Sequence, residues 1–368
     1  MMEKEKVIIG MSGGVDSSVA AALLLEQGYD VIGVTMKIWP ESLGQDKLKE
    51  GGCCSLSAVD DARRVANKLG IPYYVMNFQE IFEKTVIDYF VAEYQQGRTP
   101  NPCIACNKFV KFDALLKKAV TMGVQYIATG HYAKIEYDQG LDRYLLKKSV
   151  TAAKDQTYAL YNLTQEQLKH ILMPLGDYHK EEIRQMAQDL GLGVASKPDS
   201  QEICFVEDND YARFITERTG KESPKGYFVD SEGNTLGKHK GIIHYTIGQR
   251  KGLGIAFGKP MYVIGIDAKS NRVILGEAGQ EYSSGLVAAQ AHFIPFDRPA
   301  GDLEVTAKIR YTAKEAKAVL RPYEDTKVMV AFDIPQRAIT PGQAVVFYDG
   351  DVVIGGGIIE RGIDNISE

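Results

Sequence analysis

Short apolar runs and amphipathic stretches alternate through the first third of the chain. Brief apolar runs bounded by turn residues are typical of buried parallel strands, and the longer stretches have the spacing of helices. The predicted strands are 7–9, 31–35, 73–76 and 124–128, and the predicted helices are 19–25, 58–69, 79–96 and 108–122. This alternation predicts a doubly wound α/β domain with a parallel sheet, in which ligands bind at the carboxyl ends of the strands.

The pattern changes twice further along the chain. From Thr164 the periodicity is helical, with Thr164 and Gln167 spaced as a capping box and an amphipathic helix at 180–190. Beyond Phe205 the chain becomes rich in glycine and basic residues, and from about 284 short strands alternate with turns, which predicts a small antiparallel β-barrel. We therefore expect an α/β domain with a helical extension at 1–205, a small central domain at 206–283 and a C-terminal β-barrel at 284–368.

The first strand runs directly through Gly-Met-Ser-Gly-Gly-Val-Asp-Ser-Ser, residues 10–18, into the first helix. Gly13 and Gly14 permit a tight turn, and the N–H groups at a helix start attract anions, so this stretch predicts a phosphate site. It lacks the Gly-Lys-Ser/Thr of the Walker loop and the glycine spacing of a dinucleotide site. The Asp16 carboxylate would repel phosphates unless a cation lay between them, which predicts Mg²⁺ at Asp16.

Composition narrows the class of protein. With 368 residues, the chain is too long for one typical core, and an apolar fraction of 45% with 25% charged residues is ordinary for a globular protein. We expect a cytoplasmic protein without a membrane partner, because the sequence has no run long enough to span a bilayer and no apolar signal-peptide region. A net charge of −5 argues against a non-specific nucleic-acid coat protein. It leaves a nucleic-acid substrate open, since local patches decide that question.

The five cysteines are expected to carry chemistry, because structural disulfides are rare in a reducing compartment. Cys106 lies in a Pro/Asn loop before the helix predicted at 108–122 and beside Lys108, and both features stabilise a thiolate. Cys204 has apolar neighbours in the sequence, so the alternative to a reactive thiol is a cysteine packed in the core. Two reactive cysteines with a nucleotide loop suggest sulfur transfer, in which one carries a persulfide and the other resolves it through a disulfide.

Metal binding is the alternative function that the sequence suggests for these cysteines. Cys103, Cys106 and Cys204 supply three ligands, and a zinc site would lack an evident fourth. Three ligands with one open position suit a [4Fe–4S] cluster, which stays an alternative. Cys53 and Cys54 follow two glycines and are interpreted as non-catalytic.

A family resemblance extends over essentially the whole chain. The motifs that carry it are residues 10–17, 52–55, 101–108, 128–133, 154–158, 199–205, 245–252, 310–311 and 341–344. On these motifs the chain resembles the tRNA-specific 2-thiouridylases of the PP-loop ATP pyrophosphatase superfamily.

The resemblance implies a reaction and a set of site residues. ATP would adenylate the C2 carbonyl of the wobble uridine of tRNA with release of pyrophosphate, and a persulfide sulfur would then attack C2 and displace AMP. The persulfide is assigned to Cys204, the second nucleophile to Cys106, and the sulfur source to a donor such as a cysteine desulfurase or a sulfur-relay protein. Nucleotide contacts fall on Gly10, Met11, Ser12, Gly13, Gly14, Val15, Asp16, Ser17, Met36 and Gly130. Contacts to tRNA fall on Asn101, Pro102, Cys103, Lys154, Asp155, Gln156, Arg310, Tyr311 and Gln343, with His131 as a candidate that a structural role would explain equally well.

The chain departs from the family pattern at one position. Many members carry Asp where this chain has Cys103, so the role of that position in proton transfer stays open, and the cluster alternative gains weight. Two other functions also remain: an ATP-dependent amide-forming ligase with the same loop, and a non-catalytic module that binds tRNA or ATP. The ligase needs no reactive cysteines, and the binding module leaves Cys106 and Cys204 unexplained.

Overall fold

The computed structural model describes residues 4–40, 56–197, 203–206 and 209–364. Cys53 and Cys54 lie outside the described residues. The chain divides into two compact units, the first comprising 1–87, 103–205 and 351–353, and the second 88–102, 206–350 and 354–368. Within the described ranges, no helix is both long and apolar enough to cross a membrane.

The first unit is organised on a five-stranded parallel sheet. The strands of this unit are β1 Lys6–Gly10, β2 Asp30–Lys37, β3 Tyr73–Asn77, β4 Tyr126–Ala128, β5 Ala133–Asp138, β6 Arg143–Lys148 and β7 Ile171–Leu172. The sheet has the order β3-β2-β1-β4-β7, and the central strand β1 pairs in parallel with β2 on one side and β4 on the other. The strand order therefore reverses between β1 and β4, which makes a ligand crevice at their carboxyl ends. The predicted doubly wound α/β fold is confirmed.

Helices alternate with these strands along the chain. Up to residue 205 they are α1 Val15–Glu26, α2 Leu56–Leu69, α3 Gln79–Phe82, α4 Asp88–Gln95, α5 Pro102–Ala105, α6 Leu115–Thr121, α7 Gln165–Lys169 and α8 Lys180–Asp189. A π-helical stretch, Glu83–Ile87, continues α3 into α4, and another, Cys106–Ala114, continues α5 into α6. Val19 of α1 and Ile183 of α8 lie in the same buried apolar cluster, so these two helices share a core.

Three local expectations can be compared with the structure. The capping box of Thr164 and Gln167 is confirmed at the start of α7. The helix predicted from 108 begins at Pro102 instead, because proline is well suited to the first helical position, where no N–H donor is needed. The segment beyond 164 is not helical throughout, since the two-residue strand β7 adds to the edge of the parallel sheet.

The second unit contains a mixed sheet and a barrel. Its further elements are α9 Tyr211–Thr219, β8 Gly226–Val229, β9 Thr235–His239, β10 Met261–Asp267 and β11 Arg272–Glu277, with sheet order β10-β11-β8-β9. The barrel strands are β12 Tyr282–Phe293, β13 Leu303–Lys308, β14 Ala316–Tyr323, β15 Lys327–Arg337, β16 Ala344–Asp349 and β17 Val352–Ile363. Antiparallel pairing of β12 with β17 closes the barrel, as in the pair Gly285–Ile363. The predicted C-terminal antiparallel β-barrel is therefore confirmed.

Candidate active site

The loop after β1 is held to β2 by hydrogen bonds at the main chain of Met11. The N–H of Met11 donates to the carbonyl oxygen of Val34 at 2.8 Å, and the Thr35 hydroxyl donates to the carbonyl oxygen of Met11 at 2.7 Å. Gly13 has φ +68°, and a Cβ at this position would lie 2.2 Å from the carbonyl oxygen of Ala58 in α2. Only glycine fits there, because the obstacle is backbone.

The first turn of α1 leaves its N–H groups facing the crevice at the end of β1. Gly14 is the N-cap residue and has no side chain to accept hydrogen bonds from this turn. The Ser17 hydroxyl accepts from the N–H of Ser12 at 3.2 Å, and the Ser18 hydroxyl donates to the carbonyl oxygen of Gly14 at 2.7 Å. The serines therefore shape the loop, and the helix start supplies the positive end that an anion requires.

The predicted nucleotide residues from three strands come together at this point. A Cβ on Gly130, just after β4, would lie 2.7 Å from the Ser17 nitrogen, so the β4 end lies directly against α1. A Cβ on Gly10 would have Met36 Cε at 3.7 Å. Met11 and Val15 are buried, with 2% and 4% of each residue exposed, so their side chains belong to the core beneath the loop.

Asp16, whose side chain is 31% exposed, forms an ion pair with the buried Lys180 that the sequence did not indicate. Its two carboxylate oxygens accept hydrogen bonds from the Lys180 ammonium at 2.7 and 2.8 Å, and Oδ1 also accepts from the Tyr132 hydroxyl at 2.7 Å. A magnesium ion bound directly to Asp16 would have to share these oxygens with the ammonium, and the repulsion between the two cations would oppose its binding. The observed contacts of Asp16 therefore favour pairing with Lys180 over direct binding of a metal ion.

A second lysine reaches the loop from the segment before Cys204. The Lys197 ammonium donates to the carbonyl oxygen of Gly13 at 3.1 Å and to the Asp61 carboxylate at 2.9 Å. It therefore ties the loop both to α2 and to the stretch of chain that leads to the candidate persulfide residue.

His131 lies in the interior beside the crevice. Its Nδ1 shares a hydrogen bond of 2.7 Å with the Thr129 hydroxyl, and its ring contacts Phe112. Burial, with a smaller contribution from the charge of Lys111, holds the pKa of His131 well below its ordinary value. The ring is therefore neutral at pH 7, and its place in the core fits the structural alternative.

The segment 154–157 is anchored to the residues after β4. Gln156 and Tyr132 are joined by two hydrogen bonds, one through the Gln156 side chain at 2.9 Å and one between main chains at 3.0 Å. The Asp155 carboxylate accepts from the Thr157 hydroxyl at 2.6 Å. Lys154 ends a short 3₁₀ turn and is partly exposed. The predicted tRNA contacts in this segment are therefore held close to the crevice, and Gln156 and Asp155 also have structural hydrogen bonds.

The three described cysteines differ in their surroundings. Cys103 is exposed, Cys106 and Cys204 are half-buried, and all three are thiols. Cys106 begins the π-helical stretch, where the next residue, Asn107, is 3% exposed and donates to the carbonyl oxygen of Ala159 at 3.1 Å.

Cys204 is fixed by its neighbour. Phe205 packs edge-on against Phe82 of α3, with ring centroids 5.8 Å apart. Asn107, which follows Cys106, and Phe205, which follows Cys204, are therefore both core residues. They position the two half-buried thiols in the first unit.

The structure does not favour the iron–sulfur alternative. Across residues 4–40, 56–197, 203–206 and 209–364, no group of three or more His, Cys, Asp or Glu side chains is placed to hold a metal ion. Cys103, Cys106 and Cys204 therefore do not form a ligand set.

The predicted tRNA residues of the second unit lie on its barrel and on the loop at 98–101. The Gln343 amide donates to the carbonyl oxygen of Thr99 at 2.8 Å, and the N–H of Thr99 donates to the carbonyl oxygen of Pro341 at 2.8 Å. Gln343 thus holds the backbone just before Asn101 and Pro102. Arg310 is partly exposed and donates a hydrogen bond of 3.5 Å to the main-chain carbonyl of Ala338, and Tyr311 is 43% exposed.

Sequence reasoning missed Lys180, Lys197 and Tyr132. Lysine at the first position of a helix opposes the helix dipole, and this mismatch at Lys180 was the available signal. No signal in the sequence indicated Lys197, seven residues before Cys204, or Tyr132, which follows His131. Their hydrogen-bond partners are remote in the sequence.

The fold and the site define a class: an α/β protein with an anion-binding loop at the switch point of its sheet, followed by a β-barrel. Family comparisons agree with this class. The chain matches the family described as the tRNA methyl transferase HUP domain over residues 5–208, the tRNA methyl transferase PRC-barrel domain over 212–277 and the aminomethyltransferase β-barrel domain over 283–359.

Curated relatives are similar over nearly the full chain. The tRNA-specific 2-thiouridylase MnmA of Acetivibrio thermocellus is 69% identical over 359 residues, which cover 98% of this chain and 100% of the relative. That of Clostridioides difficile is 60% identical, over 99% of this chain and 100% of the relative. This chain belongs to the family of the tRNA-specific 2-thiouridylases.

Solved structures resemble the chain more distantly. The U34-tRNA thiolase NcsA from Methanococcus maripaludis, with its [4Fe-4S] cluster, matches at 18% identity and a TM-score of 0.34, over 59% of this chain and 68% of that chain. A similarity of this extent does not bear on the function or on the cluster.

Proposed function

We propose that this protein is an ATP-dependent tRNA sulfurtransferase that replaces O2 of the wobble uridine with sulfur. The observation that carries the proposal is the anion-binding loop at the β1–β4 switch point, in the same unit as the half-buried thiols Cys106 and Cys204. Membership of the thiouridylase family supports it, as does the set of nucleotide residues gathered around Gly130.

The loop performs the first half of the reaction. The uridine O2 attacks the α-phosphorus of ATP, and the bond to the β-phosphate oxygen breaks, so pyrophosphate leaves. The N–H groups at the start of α1 stabilise the charge on the departing pyrophosphate. We propose that Mg²⁺ accompanies ATP as a ligand of its phosphates, where it would neutralise their charge.

The cysteines perform the second half. The terminal sulfur of a Cys204 persulfide attacks C2, and AMP departs with the original oxygen. The Cys106 thiolate then attacks Sγ of Cys204, which releases 2-thiouridine and leaves a Cys106–Cys204 disulfide. A dithiol reductant restores both thiols, and a protein persulfide reloads Cys204; we propose a cysteine desulfurase or a sulfur-relay protein as that donor.

Recognition of tRNA requires the wobble base to leave its stack in the anticodon loop. We propose that Asn101, Pro102, Cys103, His131, Lys154, Asp155, Gln156, Arg310, Tyr311 and Gln343 contact the tRNA or hold residues that do. We also propose the domain boundaries 1–205, 206–283 and 284–368, supported by the three matched family segments. Because tRNA and thiols of this kind are found there, the cytoplasm is the proposed location.

Substitution of each cysteine tests the mechanism. Cys204→Ser and Cys106→Ser are each expected to abolish 2-thiouridine formation, measured by mass spectrometry of tRNA nucleosides, while ATP binding is retained. Full thiolation by either variant would contradict the two-cysteine mechanism.

A matched third variant separates the persulfide route from a cluster. Cys103→Asp introduces the residue that many family members carry, and it is expected to keep thiolation. A cluster held by all three cysteines would lose iron and activity in this variant. Iron and sulfide are therefore measured in wild type and variant purified without air, and loss of both cluster and activity on this substitution would overturn the persulfide route.

A further inference from the structure

Lys180 is a buried cation at the edge of the nucleotide loop. It is the first residue of α8, and its side chain is 7% exposed. Its ammonium contacts both oxygens of Asp16, and it lies 5.8 Å from the centre of the Tyr132 ring. Tyr132 also donates its hydroxyl to Asp16. Three segments of the first unit, the loop, the β4 end and the start of α8, therefore meet at one carboxylate.

Stability does not account for this pair. The Lys180 side chain is 7% exposed and the Asp16 side chain 31%. Burying the lysine charge costs free energy that its attraction to a partly exposed carboxylate offsets only in part, and apolar replacements of buried ion pairs are often neutral or stabilising. The position is also unfavourable for a lysine, since a helix start is electropositive. Apolar residues such as Val19 and Ile183 already belong to the core that α1 and α8 share. A buried charge that stability does not require points to function.

Asp16 presents a problem for a phosphate site. It lies in the first turn of α1, where its carboxylate competes with an anionic ligand for the same positive helix end. An uncompensated carboxylate there would repel the triphosphate. The Lys180 ammonium compensates the negative charge of the carboxylate, and the Tyr132 hydroxyl fixes its orientation.

We propose that Lys180 is the built-in counter-cation of Asp16, and that it, rather than a magnesium ion bound to Asp16, offsets the charge of this carboxylate so that the loop accepts ATP. The inference rests on the proposed use of ATP. Lys180 is a positioning residue: it acts through Asp16 and keeps the loop electrically neutral, while the N–H groups of α1 contact the phosphates. Asp16 in turn links the loop to the β4 end and to α8.

Three variants test the inference through ATP affinity, measured by calorimetry at fixed Mg²⁺ without tRNA. Lys180→Met keeps the length of the side chain and leaves Asp16 unpaired, so the Kd for ATP is expected to rise about tenfold or more, which corresponds to about 1.4 kcal/mol. Asp16→Asn is expected to lower the Kd, because the lysine charge that remains attracts phosphate. The double variant is expected to return to within about threefold of wild type, since neutrality is restored.

A matched control is Lys117→Met. Lys117 also pairs with a carboxylate, Asp113 at 2.9 Å, but its side chain is 75% exposed on α6. This variant is expected to bind ATP as wild type does. Thermal unfolding of every variant separates loss of fold from loss of ATP affinity. If Lys180→Met fails to fold, Asp16→Asn alone still decides between charge compensation by Lys180 and a metal ion bound to Asp16.

Two results would overturn the inference. A double variant as weak as Lys180→Met would mean that Lys180 contacts the phosphates directly. Weakened binding in Asp16→Asn, restored when the titration is repeated at a higher Mg²⁺ concentration, would mean that Asp16 holds the metal. Failure of the wild-type protein to bind ATP would instead contradict the proposed function.

Discussion

Lys197 donates a hydrogen bond of 3.1 Å from its ammonium to the main-chain oxygen of Gly13, in the middle of the nucleotide loop. Gly13 cannot be replaced without a backbone collision, and Lys197 stands seven residues before Cys204. The loop proposed to activate the uridine and the segment proposed to supply the sulfur are thus directly connected.

We expect Lys197→Met to weaken ATP binding and thiolation together. The variant loses a charge-assisted bond to Gly13 and the ion pair with Asp61, and bonds to charged groups contribute about 1.5–3 kcal/mol. Kd for ATP and the rate of 2-thiouridine formation are the measurements. Lys68→Met is the matched control, because Lys68 also donates to a glycine carbonyl, that of Gly191, but through an exposed bond. Equal effects in the two variants would refute a specific role for Lys197.

Gly130→Ala is expected to abolish ATP binding or to destabilise the first unit. The new Cβ would lie 2.7 Å from the Ser17 nitrogen and 2.8 Å from the Asp16 carbonyl carbon, and neither backbone atom can move without shifting α1. Overpacking of this kind costs about 1–3 kcal/mol. Gly193→Ala serves as the control, since its Cβ would meet nothing within 4 Å. Normal ATP affinity and an unchanged melting temperature in Gly130→Ala would show that the β4 end is not fixed against α1.

His131 is expected to make the protein less stable in mild acid. Its pKa is lowered by burial, so the unfolded state binds a proton near the ordinary pKa of 6.5 while the native state does not. Proton uptake therefore favours unfolding, and stability is lost as the pH falls below about 6.5, by at most about 1.4 kcal/mol per pH unit for one histidine. Urea unfolding of wild type and His131→Asn between pH 7.5 and 5.5 isolates this contribution, because all other groups are shared. Parallel curves for the two proteins would mean that His131 is not buried neutral.

Arg310→Ala is expected to weaken tRNA binding and to lower its dependence on salt. A single phosphate contact contributes a slope of about 1 in the plot of log affinity against log salt. Filter binding at several salt concentrations measures both quantities. The control is Arg321→Ala on the same barrel, because Arg321 is held by Asp302 at 3.0 Å. A slope unchanged from wild type would remove Arg310 from the proposed interface.

Much of the site was predictable because its signals are local. The strand–turn–helix at 10–18, the capping box at Thr164 and the alternation of strands with helices follow from turn chemistry and hydrophobic period within short windows. The motif residues also identified the family and the cysteines. The hairpin of β5 and β6 and the strand β7 were not predicted, since short strands with mixed polarity have no distinctive period.

The electrostatics of the site were decided by tertiary structure. The sequence alone predicted that Asp16 requires a cation and proposed magnesium, whereas the fold brings Lys180 to it across 164 positions and Lys197 to Gly13 across 184. A short stretch of sequence shows which side chains carry a charge. It does not show which charged side chain from a distant part of the chain will lie beside them. That pairing depends on how α8 and the residues that follow it, as far as Lys197, pack against the loop and α2. The sequence therefore determined the loop and the candidate cysteines, and the packing of remote segments determined which charges surround the loop.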